Sequence, residues 1–366
     1  MKIPCPRATP ALASALLLLA GCAGSGAETD DGPMPPEGAP LDLVAESPRQ
    51  WTGVAASPGG RLFVCFPRWS DDVPISVAEL VDGQAVPFPD EAWNAWAPGD
   101  DPSRAFCCVQ SVHVDGDGRL WILDAGNPGF RGVIDGAPKL LEVDLGRNEI
   151  VGTYPFSDVV RPESYLNDVR VDTERGVAFL TDSGRPGLVV LDTVSGRSRR
   201  VLDGHASTTA EDITLTIEGE AWLRDGATPK VHSDGIALTP DRSEIYFQAL
   251  TGRTLYRVPT RVLRDFTLTD ARIEQSVKRV LVGGACDGMA FDASGALYLS
   301  SIEENAVHRV SMAGQRELVA RDARLSWPDS FAVGPDGWIY VTSAQIHLGA
   351  APMAPYRLWR FRADAR

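Results

Sequence analysis

Six polar residues stand at one recurring place in this chain: Thr52, Gln110, Asn167, Asp234, Asp287 and Asp329. Each opens the same local pattern: a short apolar run, a turn rich in Asp, Gly and Pro, and a second run bearing aromatic or large aliphatic residues. DGIALTPDRSEIYFQ from Asp234 is the clearest copy. The others are TGVAASPGGRLFV, QSVHVDGDGRLWIL, NDVRVDTERGVAFLT, DGMAFDASGALYLS and DSFAVGPDGWIYVTS. Three of the six are carboxylates. If the fold brings them to a common point, two unit charges about 4 Å apart repel by roughly 4 kcal/mol at an effective dielectric near 20, and burial adds a desolvation cost. A divalent cation, a cationic ligand, a protein arginine or protonation of one acid must then offset the repulsion. The oxygen-only set Asn167, Asp234, Asp287 and Asp329 favours a hard ion such as Ca²⁺ over zinc or copper. Asp287 and Asp234 are the candidate catalytic carboxyls, with Thr52, Gln110, Asn167 and Asp329 as ligand-binding partners. The competing reading is that the acids only hold backbone groups at turns.

Other side chains adjoin this set. His232, two residues before Asp234, has an imidazole suited to proton transfer, and His205 and His347 are further candidates. Trp327, beside Asp329, and Trp51, beside Thr52, offer aromatic walls for a flat or cationic ligand. Cys286 adjoins Asp287, with no base next to it in sequence. Each of these is equally at home in loop or core packing. There is no Gly-x-Ser-x-Gly elbow, phosphate loop or dinucleotide fingerprint.

The elements that must position these residues follow from the repeat. Most copies are followed by another strand pair, such as KLLEVDLGRNEIVGTY or GLVVLDTVSGRSRRVL, which makes about four strands per unit. Units of roughly 40 to 70 residues, each a meander unable to cover both its faces, point to an all-β, six-bladed β-propeller with four-stranded antiparallel blades. Closure is expected from pairing of the N-terminal strand LDLVAES with YRLWRFR of the last blade. The first strand of each blade then lines the central channel, and the six polar residues sit near its mouth. No segment has clean helical periodicity beyond a few turns, which argues against an α/β fold, and so regular a repeat argues against a sandwich.

The 366 residues are 44% hydrophobic, enough for a large core, and the formal net charge of −14 leaves no basic surface for nucleic acid. Residues 1–21 read as a signal peptide, with Lys2 and Arg7 before ALASALLLLA, an apolar run too short to span a bilayer. Leu19-Ala20-Gly21-Cys22 resembles the bacterial lipobox, so Cys22 is the expected lipidation site and the membrane the expected anchor on the exported side. An ordinary secretory signal cleaved nearby is the alternative. Residues 22–41 read as a flexible tether and 42–366 as the propeller, a monomer. Among Cys65, Cys107, Cys108 and Cys286, a disulfide from Cys65 to Cys107 or Cys108 is expected in an oxidising compartment. No Cys/His zinc spacing occurs.

SYLNDVRVD with AFLTDSGRPGLVVLD, HSDGIALTPD with YFQALTGRTLYRVPT, ACDGMAFDASGALYLSSIEENAV, WPDSFAVGPDGWIYVTSAQIHL and RLFVCFPRW resemble the major royal jelly protein and Yellow family, over roughly residues 42–362. The resemblance implies a six-bladed propeller with a small-molecule pocket at the channel mouth. Insect members include binders of biogenic amines or sterols, and Yellow-type members are linked to dopachrome conversion. A second resemblance, to the gluconolactonase or senescence marker protein-30 family, implies metal ligands at Asn167, Asp234 and Asp287; that family's Glu is Thr52 here, and its second Asn is Asp234. Three functions therefore stand open. One is a tethered propeller that binds, or isomerises in a tautomerase-like way, a small aromatic or amine-bearing molecule. The second is a Ca²⁺-dependent lactonase with Asp287 as general base, and the third is a non-catalytic scaffold for a protein partner.

Overall fold

Each two-run pattern becomes a β-hairpin, and a second hairpin after it completes a four-stranded antiparallel blade. In this computed structural model, residues 35–362 are described, apart from 312, 313, 350, 351, 353 and 354, and they form six such blades. The innermost strands are Val54–Ala56, Val109–Val114, Leu166–Asp172, Ser233–Leu238, Met289–Phe291 and Pro328–Val333, for blades one to six. Each touches its neighbour, and the sixth touches the first, so the ring is closed. As expected from sequence, Asp42–Ser47 pairs antiparallel with Tyr356–Phe361 as the outer strand of blade six. Glu37–Gly38, in the stretch read as tether, pairs with Ala320 and Arg321 of blade five. The signal segment and Cys22 lie outside the described residues. Among the described residues no helix is long and apolar enough to cross a membrane.

The core is divided among the blade junctions. Residues of a strand point alternately to opposite faces, and in Leu120–Asp124 of blade two Leu120 and Ile122 pack on blade one while Trp121 and Leu123 pack on blade three. Val177–Asp182 repeats this: Ala178 and Leu180 face blade two, Val177 and Phe179 face blade four. Strands covered on both faces have no polar face to present. Their sequences therefore read as unbroken apolar runs such as LWIL and VAFL.

The cysteines stand apart in this packing. Cys65, Cys107 and Cys108 belong to three separate clusters and, with Cys286, are free and buried. The disulfide expected from sequence is therefore not formed: the Cys65 thiol turns to the backbone carbonyl of Gln110, 3.2 Å away in the next blade.

The Asp-Gly pairs open blades four and five for a steric reason. A Cβ on Gly235 would collide with the carbonyl of Asp287 in the next blade, and one on Gly288 with the carbonyl of Asp329. In blades three and six, where Asp168 and Ser330 hold that place, a threonine on the second strand bridges to the next blade instead. Thr181 donates to the carbonyl of Asp234 (2.5 Å), and Thr342 to that of Thr52 (2.6 Å). Gly235→Ala and Gly288→Ala should each lower the unfolding free energy by about 1–3 kcal/mol through overpacking. Gly59→Ala, in open surroundings, should stay within about 0.5 kcal/mol in the same urea titration; equal stability of all three would contradict this account of the blade junction.

Candidate functional site at the channel mouth

The inner strands are irregular where the polar residues sit. Register slips between Val109 and Ser111, Leu166 and Val169, Ser233 and Ile236, and Pro328 and Phe331. A bulge sets two residues opposite one and re-aims their side chains, which is how Gln110, Asn167, Asp234 and Asp329 leave the normal alternation. In blade five the Ser300 hydroxyl gathers the N–H groups of Asp287 and Gly288, at 2.9 and 3.1 Å.

A chain of hydrogen bonds then crosses all six blades. The Trp69 indole N–H donates to the Tyr165 hydroxyl (2.6 Å), which donates to Gln110 Oε1 (2.9 Å). Gln110 Nε2 donates to Asn167 Oδ1 at 3.4 Å, and Asn167 Nδ2 donates to Asp234 Oδ2 (2.8 Å) and to Ser183 (3.1 Å). Asp234 hydrogen-bonds Asp287, so one carboxyl of the pair carries a proton. Trp327 completes the arc, its indole N–H 2.6 Å from Asp287 Oδ2.

Proton affinities follow from this enclosure. Burial, then the charge of Asp287, hold Asp234 well above the usual carboxylate range. Burial pushes Asp287 up to about 7, against the opposing hydrogen bond from Trp327. Asp329 is likewise raised by burial and then by Asp287. Its Oδ1 accepts from Ser330 (3.0 Å), while its Oδ2 has no hydrogen-bond partner among the described residues. A fourth acid, Asp168, is raised by burial; it accepts from Ser111 (2.9 Å) and lies 3.8 Å from Arg170. Arg170 in turn reaches across the channel to the carbonyl of Met289 (2.9 Å). Raised proton affinity at Asp234, Asp287 and Asp329, and Arg170 beside Asp168, are what this arrangement sets against the crowding of acids.

Above the pair opens a cavity of about 540 Å³, lined by Gln110, Asn167, Asp234, Asp287 and five aromatic side chains: Trp69, Phe130, Tyr165, Trp222 and Trp327. Trp222 and Trp327 meet edge to face at 4.9 Å, and Phe130 packs on Tyr165 at 4.8 Å. Trp222 belongs to a long connection between blades three and four that includes the short hairpin Thr216–Ile217 and Glu220–Ala221.

Four of the six repeat residues, Gln110, Asn167, Asp234 and Asp287, line this cavity together with Trp327. Thr52 does not: it is buried and donates to the carbonyl of Gln110 at 3.0 Å. Asp329 is buried away from the cavity lining. His232 is also outside, its Nδ1 accepting the N–H of Ala210 at 3.0 Å. His205 pairs with Ser207, His347 stacks on Trp327 beside Glu218, and Trp51 fills the junction of blades six and one. The Cys286 thiol is pushed up by burial and donates to the carbonyl of Gly288. Sequence reasoning missed Tyr165, Trp69, Trp222, Asp168 and Arg170. Asp168 was within reach, since it stands where blades four and five have glycine.

The oxygen set does not fit a divalent ion as it is arranged. Asp234 and Asp287 direct oxygens at each other, and Asn167 turns its N–H toward Asp234. Among the described residues no three His, Cys, Asp or Glu side chains group at metal-holding spacing.

A six-bladed propeller with a carboxyl pair at an aromatic channel mouth is the class that fold and site define. Residues 107–363 match the family described as Major royal jelly protein, and the chain belongs to that family. It is similar to Protein yellow of Drosophila pseudoobscura pseudoobscura, at 30% identity over 241 residues, 60% of this chain and 40% of the relative. To Protein yellow of Drosophila guanche it is 29% identical over 58% of this chain and 39% of the relative. These alignments thus span about two-fifths of the relatives' own length. Among solved structures, a gluconolactonase of Xanthomonas campestris shares the fold, with a TM-score of 0.54 and 16% identity over 88% of this chain and 89% of that one.

Raised carboxyl affinities have a definite sign in stability. The folded protein keeps protons that the unfolded chain releases near the ordinary aspartate value of 3.8, so this stabilisation is full below that pH and is lost as pH rises through about 7. Asp287→Asn, which mimics the protonated side chain, should lose on the order of 1–3 kcal/mol less than the parent between pH 5 and pH 8 in urea titrations. Parallel curves for the two proteins would contradict the shared proton.

Proposed function

We propose that this protein binds a small aromatic molecule bearing an amine at the channel mouth, with the ammonium on Asp287 and Asp234 and the ring among the aromatic walls. The observation that carries the reading is the buried, proton-rich carboxyl pair on the floor of a cavity with five aromatic rings, whose lining also includes Arg131, Arg224 and Lys230. An ammonium replaces the shared proton, meets charged acceptors and lies against π faces, each a favourable exchange in a partly dry site. Asp287, with a proton affinity near neutrality, is suited to take a proton from a bound aromatic and return it at another atom. That is the chemistry of a tautomerisation.

The metal-dependent lactonase reading has Asn167, Asp234 and Asp287 in its favour and the hydrogen-bonded arrangement of their donors against it. The scaffold reading anticipates a plugged channel, and an open aromatic cavity counts against it. Export and anchoring through Cys22 remain part of the proposal; Cys22→Ser should move the protein from the membrane fraction to the soluble one.

In calorimetric titrations, phenethylamine should bind more tightly at pH 8 than at pH 6, because Asp287 is ionised only at the higher pH. Asp287→Asn should weaken binding by about tenfold or more, the loss of a hydrogen bond to a charged group. Absence of binding, or indifference to Asp287, would overturn the amine reading. A large rise in melting temperature with Ca²⁺, lost in Asp329→Asn, would favour the lactonase.

A further inference from the structure

A second cavity, of about 380 Å³, lies beside the first. The two share Trp69, Arg131 and Gly132 in their linings, and Trp69 is the aromatic ring common to both. Its indole N–H is held by Tyr165 (2.6 Å) and its ring stacks on Phe130 at 5.7 Å. The two linings differ in balance, although Arg131 borders both and Arg224 and Lys230 also line the channel mouth. The channel mouth has a carboxyl floor, whereas the side cavity presents the guanidinium groups of Arg68 and Arg131 with the indole of Trp96. Asp71, an exposed residue, is the single carboxylate of its described lining.

Both arginines are set in place by the loops that carry them. Arg68 donates from Nε to the carbonyl of Cys107 (3.1 Å) and lies 5.4 Å over the Trp96 ring, which leaves its two terminal nitrogens for another acceptor. The Gly129 N–H donates to the carbonyl of Arg68 (2.8 Å), tying the two loops together. Gly132, at φ 111°, gives its N–H to Asn127 Oδ1 (2.9 Å), which fixes the turn carrying Arg131. Neither arginine forms an ion pair among the described residues. The half-buried Arg68 guanidinium over the Trp96 ring, with the exposed Arg131 at the same cavity, is suited to a planar carboxylate or sulfonate through paired N–H donors.

We propose that the side cavity is an anion subsite, and that it takes the anionic end of the molecule whose amine sits at the channel mouth. The second half of this statement rests on the proposed amine binding; the anion subsite does not. The ligand class is an aromatic amine with a carboxylate or sulfonate at the opposite end of the ring.

The test titrates three probes by calorimetry into the full chain: benzoate, phenethylamine and 4-(2-aminoethyl)benzoate. Benzoate should bind the parent and Asp287→Asn alike, and about tenfold more weakly to Arg131→Met. Arg131 is exposed, so this variant does not put folding at risk. The two-ended probe should bind about tenfold more tightly than phenethylamine, an advantage lost in Arg131→Met and reduced in Arg68→Met. If benzoate does not bind, or binds Arg131→Met as well as the parent, the anion subsite is overturned. If benzoate behaves as stated while phenethylamine fails to bind, the subsite stands and the amine reading falls.

Discussion

One proton shared between Asp234 and Asp287 is the interaction on which the channel mouth depends. Two buried carboxylates in contact would repel strongly in a region of low effective dielectric, and neither has a cation of its own. Sharing a proton turns the repulsion into a hydrogen bond. Asn167 on one side and Trp327 on the other then saturate the outer oxygens. Arg170 and Asp168 settle the charge deeper in the channel, so the pair at the mouth is left as the group that a ligand can alter.

The architecture makes this possible because each blade contributes at one level of the axis. A single sheet could not place side chains from six separate strands around one point, whereas a closed ring of inner strands does so wherever the repeat sets the same register. The bulges matter as much as the ring. They turn Gln110, Asn167 and Asp234 out of the alternation that would otherwise bury them between blades. Long connections supply what the repeat cannot: Trp69, Phe130 and Trp222 reach the cavity from loops, and these decide the shape a ligand meets.

The fold was legible in the sequence because the hairpin unit returns six times with its turn chemistry intact, and because a strand covered on both faces must be apolar throughout. Ring closure by Asp42–Ser47 was legible for the same reason: an unpaired edge needs a partner. The site was legible only where it belongs to the repeat. Asp234, Asp287, Asn167 and Gln110 were found by register, but register could not separate them from Thr52 and Asp329, which serve the blade junctions or lie buried away from the cavity. Tyr165 and Trp222 carry no periodic signal, since loop aromatics reach the site through tertiary placement alone. The expected Cys65 disulfide failed because compartment and pairing arithmetic say nothing of which junction each thiol enters.

The most direct measurement is carbon-13 NMR of carboxyl-labelled aspartate across pH 4 to 9, with Asp234→Asn and Asp287→Asn used to assign the pair. A shared proton should give two coupled carboxyl signals, one titrating at about 7 as for Asp287, the second releasing its proton only well above the ordinary carboxylate range, and each disturbed by substitution of the other. Signals that titrate independently near the value of a free aspartate would contradict it, and the channel mouth would then need a different source of positive charge.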